Sequence, residues 1–296
     1  IMKILYIGVH SHTGWGAEYW LAKAFQDLQI HLETIDYRSI RKNEGTDSLK
    51  RKIQEKSREC QLIFLQRGEH LSPTIFEGCN IPIIFWSTEP LQLKTDVDQL
   101  LNSDIFSWVF LHSYSCVERA KSEFNHIIKK SNVIHNAAPK DILKFGTEKV
   151  KSAIFNRNLS WRRRLWLWPS GNMIDRISGR YGEDYFTDLR EANIAVNIHY
   201  SRQNLDDFES GIFEAMASGC AVISESLNHQ TLVDLGMEDA ILQVNSPFEL
   251  KEKIRLLNKD EKLLKSFQTK SQQVIQQNTW HDRAQQIKEK FEEFYN

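Results

Sequence analysis

The sequence holds no apolar run long enough to cross a bilayer: its longest, Ile81 to Trp86, is about six residues where roughly 20 are needed. It also lacks a dominant charge. With 38 Lys and Arg against 39 Asp and Glu, the formal net charge is −1, which leaves no general attraction to nucleic acid or to an anionic membrane, so any basic site must be local. Cysteines are few: Cys60, Cys79, Cys116 and Cys220 form no CxxC pair and have no histidine at metal-ligand spacing, which argues against a disulfide framework and fits a reduced cytoplasmic protein. Only 13 glycines and 6 prolines, with no low-complexity tract, exclude a fibrous or disordered chain. No charged-then-apolar leader is visible either. Ile1 reads as a remnant, and Met2-Lys3-Ile4-Leu5 runs straight into a strand, so no secretion signal is expected.

What is present is a 296-residue chain, 41% hydrophobic and 26% charged, long enough for two domains of about 140 residues and hence a cleft. Lys3 to Val9 is a short apolar run with few polar positions, as in a parallel strand covered on both faces. A polar loop from His10 to Gly16 follows, then helical spacing over Ala17 to Leu28 and a second strand from His31 to Tyr37. This β-loop-α-β unit seeds a doubly wound sheet. Similar strand-like runs recur at Gln61–Leu65, Pro82–Trp86, Trp108–Leu111 and Asn132–Ile134, and His135 to Pro139 is the best linker. Beyond it, strands are expected at Ser152–Asn156, Ile194–Ile198, Ala221–Ser224 and Ala240–Val244. Helices are expected near Asp184–Glu191, Ile212–Ser218 and Pro247–Leu257, and the chain is helical from Asp260 onward. The expected domains are 1–138, 139–275, and a C-terminal helix over 276–296 that packs back toward the first domain.

The chemistry concentrates between Asn197 and Ser224, where a strand leads through NIHYSRQNLDDFESG into the short helix IFEAMASG and another strand. Ser210 and Gly211 at the helix entrance leave backbone N–H groups open to an anion, and the positive end of the helix dipole favours a diphosphate there. Glu214, one turn in, is placed to accept both hydroxyls of a ribose. Upstream, Phe155-Asn156-Arg157-Asn158 leads through a turn into Trp161-Arg162-Arg163-Arg164; arginine's planar fork suits phosphate, so Arg162 or Arg163 can stabilise a leaving nucleoside diphosphate. The same stretch also reads as a solvated basic patch, or as a nucleic-acid contact with Trp161, Trp166 and Trp168 as stacking platforms; the net charge speaks against the last.

These pieces in order resemble GT-B glycosyltransferases of the group 1 type. FEAMASG followed by an apolar strand is similar to the group's donor-site signature; NIH and the Thr279-Trp280-His281-Asp282-Arg283-Ala284 element bring it nearest to the spore-maturation-protein-like branch. The resemblance implies an α/β fold of GT-B architecture: two Rossmann-like domains whose parallel sheets face a cleft, with C-terminal helices crossing back. It implies a cytoplasmic enzyme that moves a sugar from a nucleoside-diphosphate sugar to an acceptor hydroxyl (of a glycan, a lipid-linked sugar or a protein). No metal and no cofactor are implied, retention of configuration is, and neither nucleic acid nor a membrane span belongs to the expectation.

For the site, the resemblance implies donor binding by Arg157, Asn158, Arg162, Arg163, His199, Ser210, Gly211 and Glu214. It implies an acceptor-side loop at Gly14, Gly16 and Glu18, similar to the group's G-G-A-E turn. Glu89, at a strand end before Pro90, is implied as an acceptor-side base, with a helix-capping turn residue as the other reading. The group's paired acids lie eight apart; here Asp206 stands eight before Glu214, and Glu209 replaces a glycine, so Asp206, Asp207 and Glu209 are all candidates to face the sugar. Arg157 also replaces a usual glycine. His199 is expected to touch the sugar or a phosphate, and His112 has a weaker standing. A dinucleotide-binding reading of Gly14 to Asp36 fails because Tyr19 occupies the third glycine position. The rivals are a nucleotide-sugar epimerase and a non-catalytic nucleotide-sugar-binding protein.

Overall fold

A computed structural model describes residues 2–10, 14–145, 147–202 and 208–295. The chain forms two compact units: Ile1–His135 with Trp280–Asn296, and Asn136–Thr279.

Unit 1 is built on β1 (Lys3–Gly8), β2 (His31–Asp36), β3 (Leu62–Gln66), β4 (Ile83–Ser87), β5 (Trp108–Leu111) and β6 (Ser131–Val133), in the order β2-β1-β3-β4-β5-β6. All neighbours are parallel. β3 and β4 are buried along their whole length, as continuous apolar runs in a two-faced sheet should be. One face lies under the helices Ala17–Asp27 and Trp280–Tyr295, with Phe64 5.7 Å from Phe25 and 5.4 Å from Phe291 between ring centroids. The last helix of the chain thus completes the core of the first unit. Opposite, Phe85 stacks on Phe106 at 4.9 Å in a cluster with Leu49, Ile53 and Phe76.

Unit 2 carries β7 (Lys151–Phe155), β8 (Ile174–Arg176), β9 (Ala192–Asn197), β10 (Ala221–Glu225) and β11 (Ile241–Val244), all parallel in the order β11-β10-β9-β7-β8. Sequence reading does not anticipate β8: it is three residues long at an edge, with Ile174 alone buried, too short to show a period. The expected strands around it are present within a residue or two. The chain winds from β7 to β8 on one side and to β9 on the other, so the switch point of this sheet lies at the carboxyl ends of β7 and β9. In open α/β sheets that crevice is where ligands bind. In unit 1 the equivalent crevice lies beyond β1 and β3.

Candidate functional site

At the switch point of unit 2, β7 ends at Phe155 and delivers Arg157; β9 ends at Asn197 and delivers His199. Beside them the helix Ser210–Ala217 begins. Its buried side chains, Ile212, Phe213 and Ala215–Ala217, anchor it to the sheet. Arg157 lies on the bare backbone at the start of this helix. A Cβ on Gly211 would fall 1.4 Å from Arg157 Nη2 and 2.2 Å from its Cζ, so only glycine leaves room for the guanidinium. That Nη2 is 3.5 Å from Glu214 Oε2. It is buried and has no hydrogen-bond acceptor among the described residues. The Tyr185 hydroxyl donates to the same Glu214 oxygen at 2.6 Å; burial and the Glu214 charge push the phenol's pKa well up, so it stays a donor.

Arg162 and Arg163 are engaged otherwise. Ser160 caps their helix, Trp161–Leu167, by accepting from Arg163 N–H at 3.3 Å. Arg162 donates to the His199 carbonyl at 2.9 Å and grips Glu225 with both Nη atoms, at 2.7 Å for Nη1. Arg163 donates to the carbonyls of Ile198 at 2.8 Å and Asn158 at 3.0 Å, and to Glu209 Oε2 at 3.2 Å. Burial lowers its pKa against the pull of Glu209. Both guanidinium groups therefore tie down the loop that leaves β9. Asn158 itself is exposed and takes part here through its carbonyl.

His199 is fully buried. Its backbone N–H donates to Glu225 Oε2 at 2.8 Å, and its Nε2 meets the Ser226 carbonyl at 2.8 Å, which fixes the proton on that nitrogen. Nδ1 lies 3.6 Å from Glu209 Oε1. Burial disfavours the imidazolium, yet Glu209, the Ser226 carbonyl and Glu225 together raise the pKa above 6.5. Glu209 occupies the N-cap position of the Ser210–Ala217 helix without capping it. Its carboxylate turns to Arg163 and His199 instead, which leaves the first-turn N–H groups at Ser210 and Gly211 uncapped by that side chain. Asp206 and Asp207 lie outside the described residues.

In unit 1, Gly14 and Gly16 both have positive φ, 73° and 116°, and introduce the Ala17–Asp27 helix. Glu18, buried in its first turn, pairs with Arg67 Nε. Arg67 belongs to a turn beyond β3 in which Arg67 and His70 are also left-handed, at 71° and 60°. Between them Gly68 has φ 80°, and a Cβ there would meet Leu100 Cδ1 at 2.7 Å. The turn presents Glu69 to the Tyr37 hydroxyl and to Arg38 Nη2, the latter at 2.5 Å. Burial opposes ionisation of Glu69, but the Tyr37 hydroxyl, its own backbone N–H and Arg38 bring its pKa down to about 2 from an ordinary 4.5. Glu89 is buried beyond β4 and pairs with Lys94 Nζ. His112 sits with Nδ1 3.5 Å from Cys116 Sγ, which in turn lies 3.6 Å from the Glu89 carbonyl oxygen.

The structure thus gathers Arg157, Gly211 and Glu214 in one group and Arg162, Arg163, His199 and Glu209 in an adjoining one. Sequence reading misses Glu225 and Tyr185 in unit 2, and Tyr37, Arg38, Arg67 and Glu69 in unit 1. A signal existed for Glu69 and Glu225: each stands at or just beyond the end of an apolar strand, the criterion that singles out Glu89.

A family model described as glycosyl transferase-like matches residues 140–289. No curated protein sequence matches the chain. Solved structures match over nearly the whole length. Alr3699/HepE of Anabaena, in complex with UDP-glucose, is 14% identical with a TM-score of 0.67, over 99% of this chain and 100% of that one. A glycosyltransferase from Rickettsia africae is 13% identical with a TM-score of 0.68, over 99% of this chain and 98% of that one. The BGT of phage T4, in complex with its UDP-glucose substrate, is 13% identical with a TM-score of 0.65, over the whole of both chains. At such identities the structural likeness concerns the fold alone.

Proposed function

The chain belongs to the glycosyl transferase-like family and is a glycosyltransferase of GT-B fold, and we propose that it moves a sugar from a UDP-sugar to an acceptor hydroxyl, without a metal ion and with retention of configuration. The Anabaena and T4 structures are UDP-glucose complexes, which is the ground for choosing the UDP-sugar class. The observation that carries the donor site is Arg157 lying on the bare backbone of Gly211, with a buried N–H that makes no hydrogen bond among the described residues.

In this reading the diphosphate docks on Arg157 and on the N–H groups of Ser210 and Gly211, where a guanidinium and a helix dipole both favour negative charge. As the glycosidic bond breaks, charge develops on the departing UDP. Arg157 and the helix end meet that charge, so a divalent cation is not needed for it. Glu214, oriented by Tyr185, accepts from the ribose hydroxyls. Arg162 and Arg163 act as positioning residues that hold the loop bearing His199, while His199 and Glu209 serve the side of the transferred sugar. On the acceptor side stand the Gly14–Glu18 loop and Glu89; the acceptor itself is a glycan, a lipid-linked sugar or a protein. Retention rests on the family resemblance, and the anomeric configuration of the product by NMR tests it.

Calorimetric titration with UDP tests the donor site. Arg157→Ala should weaken UDP binding by roughly 10- to 100-fold, the worth of a charge-assisted contact of about 1.5–3 kcal/mol, and leave uridine binding unchanged. Equal UDP affinity in the variant removes Arg157 from the diphosphate and overturns the reading. Transfer activity that survives EDTA checks metal independence.

A further inference from the structure

The helix Trp161–Leu167 is turned inside out relative to an ordinary surface helix. At about 100° per residue, Trp161, Arg164, Leu165 and Trp168 fall on one face at spacings i, i+3, i+4 and i+7, the pattern that normally faces a core. Here that face is in solvent: Trp161 is 76% exposed, Leu165 53% and Trp168 73%. The inward face carries the buried Arg163 and Leu167. Phe248, 66% exposed, is the next residue along from Pro247, and Pro247 and Leu165 line the same cavity. That cavity, of about 490 Å³, is otherwise lined by Arg162, Arg202, Glu225, Ser226 and Asn245, among others. An apolar stripe with tryptophans at its ends therefore adjoins a polar recess that contains arginines.

We propose that unit 2 docks on the surface of an anionic lipid bilayer, with Trp161, Leu165, Trp168 and Phe248 entering the interface and the exposed Arg164 and Arg202 meeting phosphate-bearing headgroups. Charge complementarity favours a lipid over a second copy of the chain. Of the four arginines in residues 157–168, Arg157, Arg162 and Arg163 are paired with Glu214, Glu225 and Glu209, and Arg164 alone is exposed. Arg164 and Arg202 are exposed beside the stripe. The nearest acids on the Phe248 helix are already engaged: Glu249 accepts from the Asn245 N–H at 2.9 Å, and Glu252 pairs with Arg255 at 2.8 Å. Tryptophan is the residue suited to the headgroup level, and no helix among the described residues is long and apolar enough to cross a membrane, so the attachment lies in the plane of the interface. A stripe this short holds on weakly by itself, which makes the binding reversible and dependent on anionic lipid.

Co-sedimentation of the full chain with vesicles tests this. Binding is expected to vesicles containing about one third phosphatidylglycerol, to fall several-fold in phosphatidylcholine alone, and to weaken as salt is raised. The double variant Trp161→Ser, Trp168→Ser should lose most of the binding, and Arg164→Glu, Arg202→Glu should lose roughly tenfold or more at about 1 kcal/mol per cation. Far-UV circular dichroism and UDP titration, both expected to match the wild type for the tryptophan variant, show that its fold and donor site remain. Three results overturn the proposal: no binding by the wild type, equal binding by the tryptophan variant, or a wild-type dimer that the same substitutions convert to a monomer. Retention of the wild type on a glycan matrix through these tryptophans, without vesicle binding, also overturns it.

Discussion

The two sheets both bring carboxylates and cations together at their carboxyl edges, and they differ in what each edge leaves open. Beyond β1, β3 and β4, unit 1 buries three carboxylates, Glu18, Glu69 and Glu89, and meets them with Arg67, shared by Glu18 and Glu69, with Arg38 and Tyr37 on Glu69, and with Lys94 on Glu89. Beyond β7 and β9, unit 2 pairs Arg162 with Glu225 and Arg163 with Glu209, while Arg157 ends on glycine backbone, 3.5 Å from Glu214, with an N–H that makes no hydrogen bond among the described residues. The topology is of one kind, and the difference lies in a few residues past the strand ends. The closed edge of unit 1, with its buried carboxylates, suits hydrogen bonding to hydroxyls, while Arg157 beside an open helix terminus in unit 2 suits an anion. A doubly wound sheet provides the crevice, and the turn residues decide what enters it.

Gly211→Ala should have the largest effect, because it acts on the Arg157 end of unit 2 without touching charge. The new methyl would occupy the place of the Arg157 guanidinium, and glycine to alanine inside a helix is otherwise mildly stabilising. Donor-dependent kcat/KM is expected to fall by roughly 10³-fold, as for loss of a positioned electrostatic group, while thermal stability holds or rises slightly. Steady-state kinetics and a melting curve on one preparation check both halves. Wild-type activity in this variant would mean that Arg157 does not act from the observed position.

Glu89→Gln tests the closed edge of unit 1. It keeps the side chain's shape and removes its charge, so kcat should fall by about 10²-fold with UDP affinity unchanged, if the carboxylate serves the acceptor as a base. A loss of stability with normal kcat would make Glu89 a partner of Lys94 only, and the contrast between the two edges would then be structural.

Much of this fold is legible in the sequence because buried parallel strands leave continuous apolar runs: LYIG, LIFL, IIFW and AVIS announce β1, β3, β4 and β10. The Ser210–Ala217 helix is legible for another reason, as its small residues and following glycine mark both ends. β8 leaves no such trace. Nor does the sequence say which arginine faces the helix terminus. Arg162 and Arg163 look like phosphate ligands by type and spacing, but their partners, Glu225 and the carbonyls of Ile198 and His199, come from strands 35 or more residues away. The grouping of Glu18, Glu69 and Glu89 is likewise made by strand order: adjacent β1, β3 and β4 bring together side chains that are up to 71 residues apart in the chain.

The smallest expected effect concerns stability and separates the edges by pH. The folded-state pKa of Glu69, about 2, lies below its ordinary 4.5, so the unfolded chain binds the proton more readily. The stabilisation from its ionised form is therefore complete above pH 4.5 and is lost as pH falls toward about 2. Glu69→Gln keeps the shape but accepts less strongly from Tyr37 and Arg38; it should cost about 2 kcal/mol at pH 7. The difference between wild type and variant, followed by urea denaturation, should shrink below pH 4.5 and nearly vanish near pH 2. A difference independent of pH would mean that Tyr37 and Arg38 hold Glu69 by packing and geometry, and the closed edge would owe nothing to its charge. Donor affinity should stay level in the same variant, since none of the groups assigned to the diphosphate changes with Glu69.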